Sequence, residues 1–72
     1  MKIDIHYCAE WYYKPRAASL AAEFRKAFGV EAKLVPQRNG IFDVIVDDKL
    51  VFSKLEAGRF PNPGEISSKL KQ

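Results

Sequence analysis

Along the first eight residues, apolar and polar side chains alternate: Ile3, Ile5 and Tyr7 fall on one side, Lys2, Asp4 and His6 on the other. A period of two is that of a strand with one buried face, so the pattern predicts a strand over Lys2 to Tyr7. The period then changes. Ala17, Leu20, Ala21, Phe24, Ala27 and Phe28 recur at the i, i+3, i+4 spacing of a helix that buries one stripe, while Arg16, Glu23, Arg25 and Lys26 lie largely off it. Lys14-Pro15 opens this helix, because proline lacks an N–H that the first turn could not pair anyway, and Gly29 is suited to close it in a left-handed conformation.

Beyond the helix the alternation returns. Glu31 to Val35 predicts a second strand stopped by Pro36, and Arg38-Asn39-Gly40 is a turn signal. Ile41 to Val46 predicts a third strand, with Phe42, Val44 and Val46 on one face. Asp47-Asp48 makes a two-residue hairpin turn into a fourth strand over Lys49 to Lys54. Glu56 to Pro61 reads as a loop. Asn62-Pro63-Gly64-Glu65 has the spacing of a capping box, with Asn62 as N-cap and Glu65 reaching back, so a short helix is expected to run to about Leu70.

The predicted order is β-α-β-β-β-α, an α/β fold with a four-stranded mixed sheet and two helices in a single domain spanning residues 1–72. A strand, a helix and a returning strand form a parallel crossover. The strand order stays open, since Asn39-Gly40 could pair the second and third strands locally, or the two could flank the first.

Composition changes this picture little. At 72 residues, 47% hydrophobic and 29% charged, the chain has the make-up of one small globular domain. No apolar run approaches the roughly 20 residues of a membrane span, and MKIDIHYC lacks the apolar core of a signal peptide, so a cytoplasmic location without membrane partners is expected. The net charge of +3 is interleaved with acidic residues rather than gathered on one face, which argues against a nucleic-acid partner.

The chemistry concentrates in HYCAEWYYKPR, residues 6–16. Cys8 is the only cysteine, which excludes an internal disulfide and a cysteine-based zinc site; no metal site or bound cofactor is expected. It stands where the first strand gives way to the first helix, a setting in which helix N–H groups, with Lys14 and Arg16, can stabilise a thiolate. Equally, a lone cysteine can be a small inert core residue. Position alone does not decide between these. Trp11, Tyr12 and Tyr13 either pack onto the strand–helix junction or form a contact surface for a partner.

These same residues carry a resemblance. YCAEWYYKPRA resembles the active-site turn of the selenoprotein W-like (Rdx) family, whose pattern is Tyr-Cys-x-x-selenocysteine or cysteine followed by a Lys-Pro-Arg-like helix start. VPQRNGIFDVIVDDKLVFSK resembles the family's proline, turn and Gly-x-Phe hairpin, and GRFPNPGEISSKLKQ its Gly-x-Phe-Pro loop and closing helix. The resemblance implies a thioredoxin-like fold and a thiol or selenol redox role, with glutathione as co-substrate and protein thiols or disulfides as partners; separately, a monomer or weak dimer is expected. It makes Cys8 the first redox residue and puts Trp11 where the selenocysteine or second cysteine belongs. Tyr12, Tyr13, Lys14 and Phe60 are the candidate substrate or partner-binding residues.

A two-centre cycle cannot run with tryptophan at position 11. Three readings follow. Selenocysteine is encoded by UGA, which some hosts read as tryptophan, so Trp11 can stand in for a native selenocysteine; because the surrounding motif is intact, this reading is preferred. A genuine tryptophan leaves Cys8 as a monothiol able to form mixed disulfides. Alternatively the chain is a redox-inactive binding module that uses the aromatic turn around Trp11.

Overall fold

In the computed structural model, which describes all 72 residues, seven elements follow one another: β1 (Ile3–Cys8), α1 (Lys14–Phe28), β2 (Lys33–Gln37), β3 (Phe42–Val46), β4 (Lys49–Ser53), α2 (Lys54–Ala57) and α3 (Glu65–Leu70). The sheet order is β2-β1-β3-β4. β1 pairs with β2 in parallel, Ile5 beside Leu34, and with β3 antiparallel, Ile5 beside Val44. β2 and β3 therefore flank β1, the arrangement a thioredoxin-like sheet requires. Asn39-Gly40 forms a local turn, both φ positive, but does not pair the strands around it.

Alternation along β1 and β3 decides the core. Ile3, Ile5, Tyr7, Phe42, Val44 and Val46 pack with Ala17, Leu20, Ala21 and Phe24 of α1 and Ile66 of α3 in one buried cluster. Asp4, His6, Asp43 and Ile45, from the other face of the same strands, are only half-buried.

Capping follows the sequence at some ends and departs from it at others. Gly29 closes α1 at φ 67°, its N–H donating to the Arg25 carbonyl at 2.8 Å. Asp47 and Asp48 both take positive φ, 49° and 68°, as a two-residue hairpin turn demands. β2 runs from Lys33 through Pro36 to Gln37 instead of stopping before the proline. It is an edge strand, where a residue without an N–H can sit with that side facing away from the ladder.

Two differences concern the C-terminal third. A single helical turn, α2, overlaps the end of the stretch read as the fourth strand and the start of that read as a loop, making a third helix; Ser53 Oγ accepts the Glu56 N–H at 3.5 Å, and Gly58 ends the turn at φ 75°. At α3 the N-cap is Gly64, φ 77°, rather than Asn62. The expected back-reach of Glu65 is nevertheless made, its Oε1 accepting the Asn62 N–H at 2.9 Å.

Candidate functional site

Cys8 ends β1, and its backbone is fixed on one side by donation of its N–H to the Ile41 carbonyl at 2.7 Å. From there the chain does not pass directly into α1. Five residues, Ala9 to Tyr13, form a turn, and the single backbone bond that spans it runs from the Tyr13 N–H to the Cys8 carbonyl at a long 3.4 Å. The Cys8 side chain is fully buried, yet it lies outside the main core cluster. Burial at the end of β1, rather than exposure at a helix terminus, is thus the setting of the only cysteine.

The turn is also tied to β2, where the Ala9 N–H donates to the Gln37 carbonyl at 3.1 Å. Tyr12 is 89% exposed and sits at φ 60°, a left-handed conformation that costs a non-glycine residue about 1 kcal/mol or more. Trp11 is 58% exposed, and its six-membered ring lies against Gly40: a Cβ at position 40 would fall 2.5 Å from Trp11 Cζ3. Gly40 is buried at φ 72°, so turn geometry and the close approach of the indole both require glycine there.

From Trp11 a series of edge-to-face aromatic contacts leads inward. Trp11 meets Tyr13 at 6.1 Å between centroids, Tyr13 meets Phe60 at 4.8 Å, and Phe60 meets Phe42 at 5.2 Å. Such pairs add about 0.5–1.5 kcal/mol each beyond the area they bury. Two cations cover the cluster. The Arg16 guanidinium lies 4.2 Å from the Phe60 ring centre, and Lys54 Nζ lies 5.3 Å from Phe60 and 5.6 Å from Tyr13.

Phe60 occupies a loop that two carboxylates hold firmly. Glu65 receives both terminal nitrogens of Arg59, at 2.8 and 2.9 Å, as well as the Asn62 N–H. The Arg59 hydrogen bond, followed by the backbone bond from Asn62, lowers the Glu65 carboxyl to about 2. Glu23, from α1, accepts the Gly64 N–H at 3.0 Å and the Ser67 hydroxyl at 2.6 Å. Between the first half of α1 and this loop opens a cavity of about 500 Å³, its walls including Arg16, Leu20, Phe42, Phe60 and Asn62.

The structure thus brings Trp11, Tyr13 and Phe60 together and leaves Tyr12 and Lys14 as exposed side chains outside the aromatic cluster. Arg16, read from the sequence as support for a thiolate, instead stacks on Phe60. Phe42, Gly40, Lys54 and Glu23 complete the site and were not singled out by sequence reasoning. Asn39-Gly40 gave a signal only for the turn, and a carboxylate that clasps a loop 41 residues away leaves no local pattern. His6 has Asp43 as its cross-strand neighbour, and Asp43 Oδ1 is buried without a hydrogen-bond partner. No group of three His, Cys, Asp or Glu side chains is arranged to hold a metal ion, and no helix is long and apolar enough to cross a membrane.

Sheet order, crossover helix and a lone thiol at the β1–α1 turn define a small α/β domain of thioredoxin-like type. The sequence profile of the Rdx family matches residues 2–72, and the chain belongs to that family. Its fold is similar to the crystal structure of a selenoprotein W-related protein from Vibrio cholerae, with a TM-score of 0.90 at 23% identity, covering 97% of this chain and 91% of that one. A crystal structure from Bordetella parapertussis is similar with a TM-score of 0.91 at 27% identity, covering 97% and 92%. Among curated proteins there is no match.

Proposed function

We propose that this chain is a thiol or selenol redox protein of the selenoprotein W type, whose native form carries selenocysteine at the position occupied by Trp11. The observation that carries the reading is the match to the Rdx family over residues 2–72, with Cys8 three residues before position 11 in the β1–α1 turn. A selenol ionises more readily than a thiol, which makes position 11 the attacking group in that form. The selenolate attacks one sulfur of a disulfide, a selenium–sulfur bond forms, and the other sulfur leaves as a thiolate. The Cys8 thiolate then attacks selenium and expels the first substrate sulfur, so that a selenenylsulfide joins positions 8 and 11 and the substrate has gained two electrons. Two glutathione molecules return those electrons: one opens the selenenylsulfide as a mixed species, and the second releases it as glutathione disulfide.

With tryptophan at position 11, only the first half of this chemistry survives. Cys8 attacks glutathione disulfide, forms a mixed disulfide and releases one glutathione thiolate, with no internal group to resolve it. Because Cys8 is buried, local opening must expose its sulfur before it can attack. The cytoplasm, where glutathione keeps thiols reduced, is the compartment this chemistry suits.

One observation favours a second reading. Cys8 is buried, whereas Trp11 and Tyr12 are the exposed large side chains of the turn, the arrangement expected of a redox-inactive module that docks a partner through its aromatics. Intact mass of the protein purified from its native organism under reducing conditions separates the cases. The isotope pattern of selenium supports the two-centre cycle. A mass with tryptophan ends that cycle and leaves the monothiol or the binding module.

A further inference from the structure

The cavity beside α1 has a charge property that the thiol chemistry does not use. Its apolar lining comes from Leu20, Phe42 and Phe60, with prolines at its rim. Its one acid, Glu23, is already engaged at both oxygens, by the Gly64 N–H and the Ser67 hydroxyl. Its one cation, Arg16, takes part in none of the chain's three salt bridges, which join Lys2 to Asp48, Arg25 to Glu31 and Arg59 to Glu65. Lys54, on the same aromatic cluster, is likewise unpaired.

The geometry of Arg16 adds direction to this charge. The guanidinium carbon lies 4.2 Å from the centre of the Phe60 ring, and its N–H groups take part in no salt bridge. A planar fork held by stacking is pre-organised for two parallel hydrogen bonds to a carboxylate and has less rotamer freedom left to lose on binding. The ring beneath it is itself fixed, because the Phe60 loop is clasped by Glu65 and Glu23. An unpaired fork over a firm aromatic wall, opening onto an apolar cleft, complements a carboxylate with an apolar group beside it.

We propose that this cleft is a docking groove for an acidic peptide segment of a partner protein, in which an Asp or Glu side chain pairs with Arg16 and a neighbouring apolar side chain lies against Leu20 and Phe60. The proposal deepens the redox reading by giving its protein substrate a chemical class, since Tyr13 links the groove wall at Phe60 to the turn that follows Cys8. It does not depend on the thiol chemistry for its test.

The test is titration of the isotopically labelled full chain, Cys8 kept reduced, with the blocked peptide acetyl-Gly-Leu-Asp-Gly-amide, followed by amide chemical shifts. Its side-chain carboxylate is its only charge, and it contains no sulfur, so the outcome leaves the redox reading untouched. Shifts are expected at Arg16, Ser19, Phe60 and Asn62, with binding about tenfold weaker when Asn replaces Asp in the peptide, as loss of a charge-assisted pair implies. In Arg16→Gln the preference for Asp over Asn should vanish, and Arg16→Lys, which keeps the charge but not the fork, should lose most of it. The spectrum of each variant also reports whether it is folded. The proposal is overturned by an absence of shifts in the groove, by equal binding of the Asp and Asn peptides, or by acetate or inorganic phosphate producing the same shifts at the same concentration.

Discussion

The two irregular segments that meet at the aromatic cluster are built in opposite ways. Arg59 to Glu65 is held by hydrogen bonds from Arg59, Asn62 and Gly64 to the carboxylates of Glu65 and Glu23, none longer than 3.0 Å. Ala9 to Tyr13 is tied to β2 and β1 by backbone bonds of 3.1 and 3.4 Å, carries Tyr12 in a left-handed conformation, and rests its indole on a glycine. Both touch the same rings. One is a fixed wall, and the other is tied to its surroundings by fewer bonds. Cys8 immediately precedes the second, so the difference makes the turn the segment that yields more readily and the loop the one that keeps its shape.

The largest effect should come from removing the ring that both segments share. Phe60→Ala is expected to lower unfolding free energy by about 2–3 kcal/mol in denaturant titration, because it loses two aromatic and two cation contacts with the buried area of the ring. Glu23→Ala should cost about 2 kcal/mol, since it strands the Gly64 N–H and the buried Ser67 hydroxyl without an acceptor. If the loop were no firmer than the turn, this second loss would fall well below 1 kcal/mol.

On the turn side, Gly40→Ala should cost about 1–2 kcal/mol from its positive φ, with the indole displaced by the new methyl group. Fluorescence of the single tryptophan would report that displacement. In a Trp11→Ala background the collision is gone and only the backbone cost remains. Smaller still, Tyr12→Gly should raise stability by about 0.5 kcal/mol, because it relieves φ 60° at a side chain that buries almost nothing.

The smallest test is one of pH. The Glu65 carboxyl falls from an ordinary 4.5 to about 2 in the folded protein, mainly through Arg59. A depressed folded value contributes stability that is fully present above the unfolded value and is lost as pH falls through the folded one. Thermal unfolding followed from about pH 6 to about pH 2 should therefore show a decline in the window between those values that is weaker in Glu65→Gln. An identical profile for the two proteins would remove the clasp from the account of the loop.

Much of this architecture was legible from residue order. Period two in Ile3-Ile5-Tyr7 and Phe42-Val44-Val46 gave the buried sheet face, and Pro15, Gly29 and Asp47-Asp48 marked boundaries that the structure keeps. Pro36 misled because a proline stops a strand only where its N–H would be needed, and edge position is a property of the whole sheet. The α2 turn had a local signal, Ser53-Lys54-Leu55-Glu56, in the S-x-x-E spacing of a capping box, overshadowed by the strand before it. At the site, the aromatics and the thiol stood out as residue types, but their division of labour did not. Burial of Cys8 depends on the packing around the end of β1, and the grip of Glu23 on its loop depends on contacts more than 40 residues apart.

The most direct measurement of the central claim is reaction of the folded, reduced chain with glutathione disulfide, followed by intact mass and peptide mapping, in the protein as it stands and in Trp11→Ser. The account predicts one glutathionyl group on Cys8 under native conditions, forming faster in Trp11→Ser because the indole no longer anchors the turn to Gly40. An adduct that appears only in denaturant, at the same rate in both proteins, would contradict it and leave Cys8 as a structural residue beneath a binding surface.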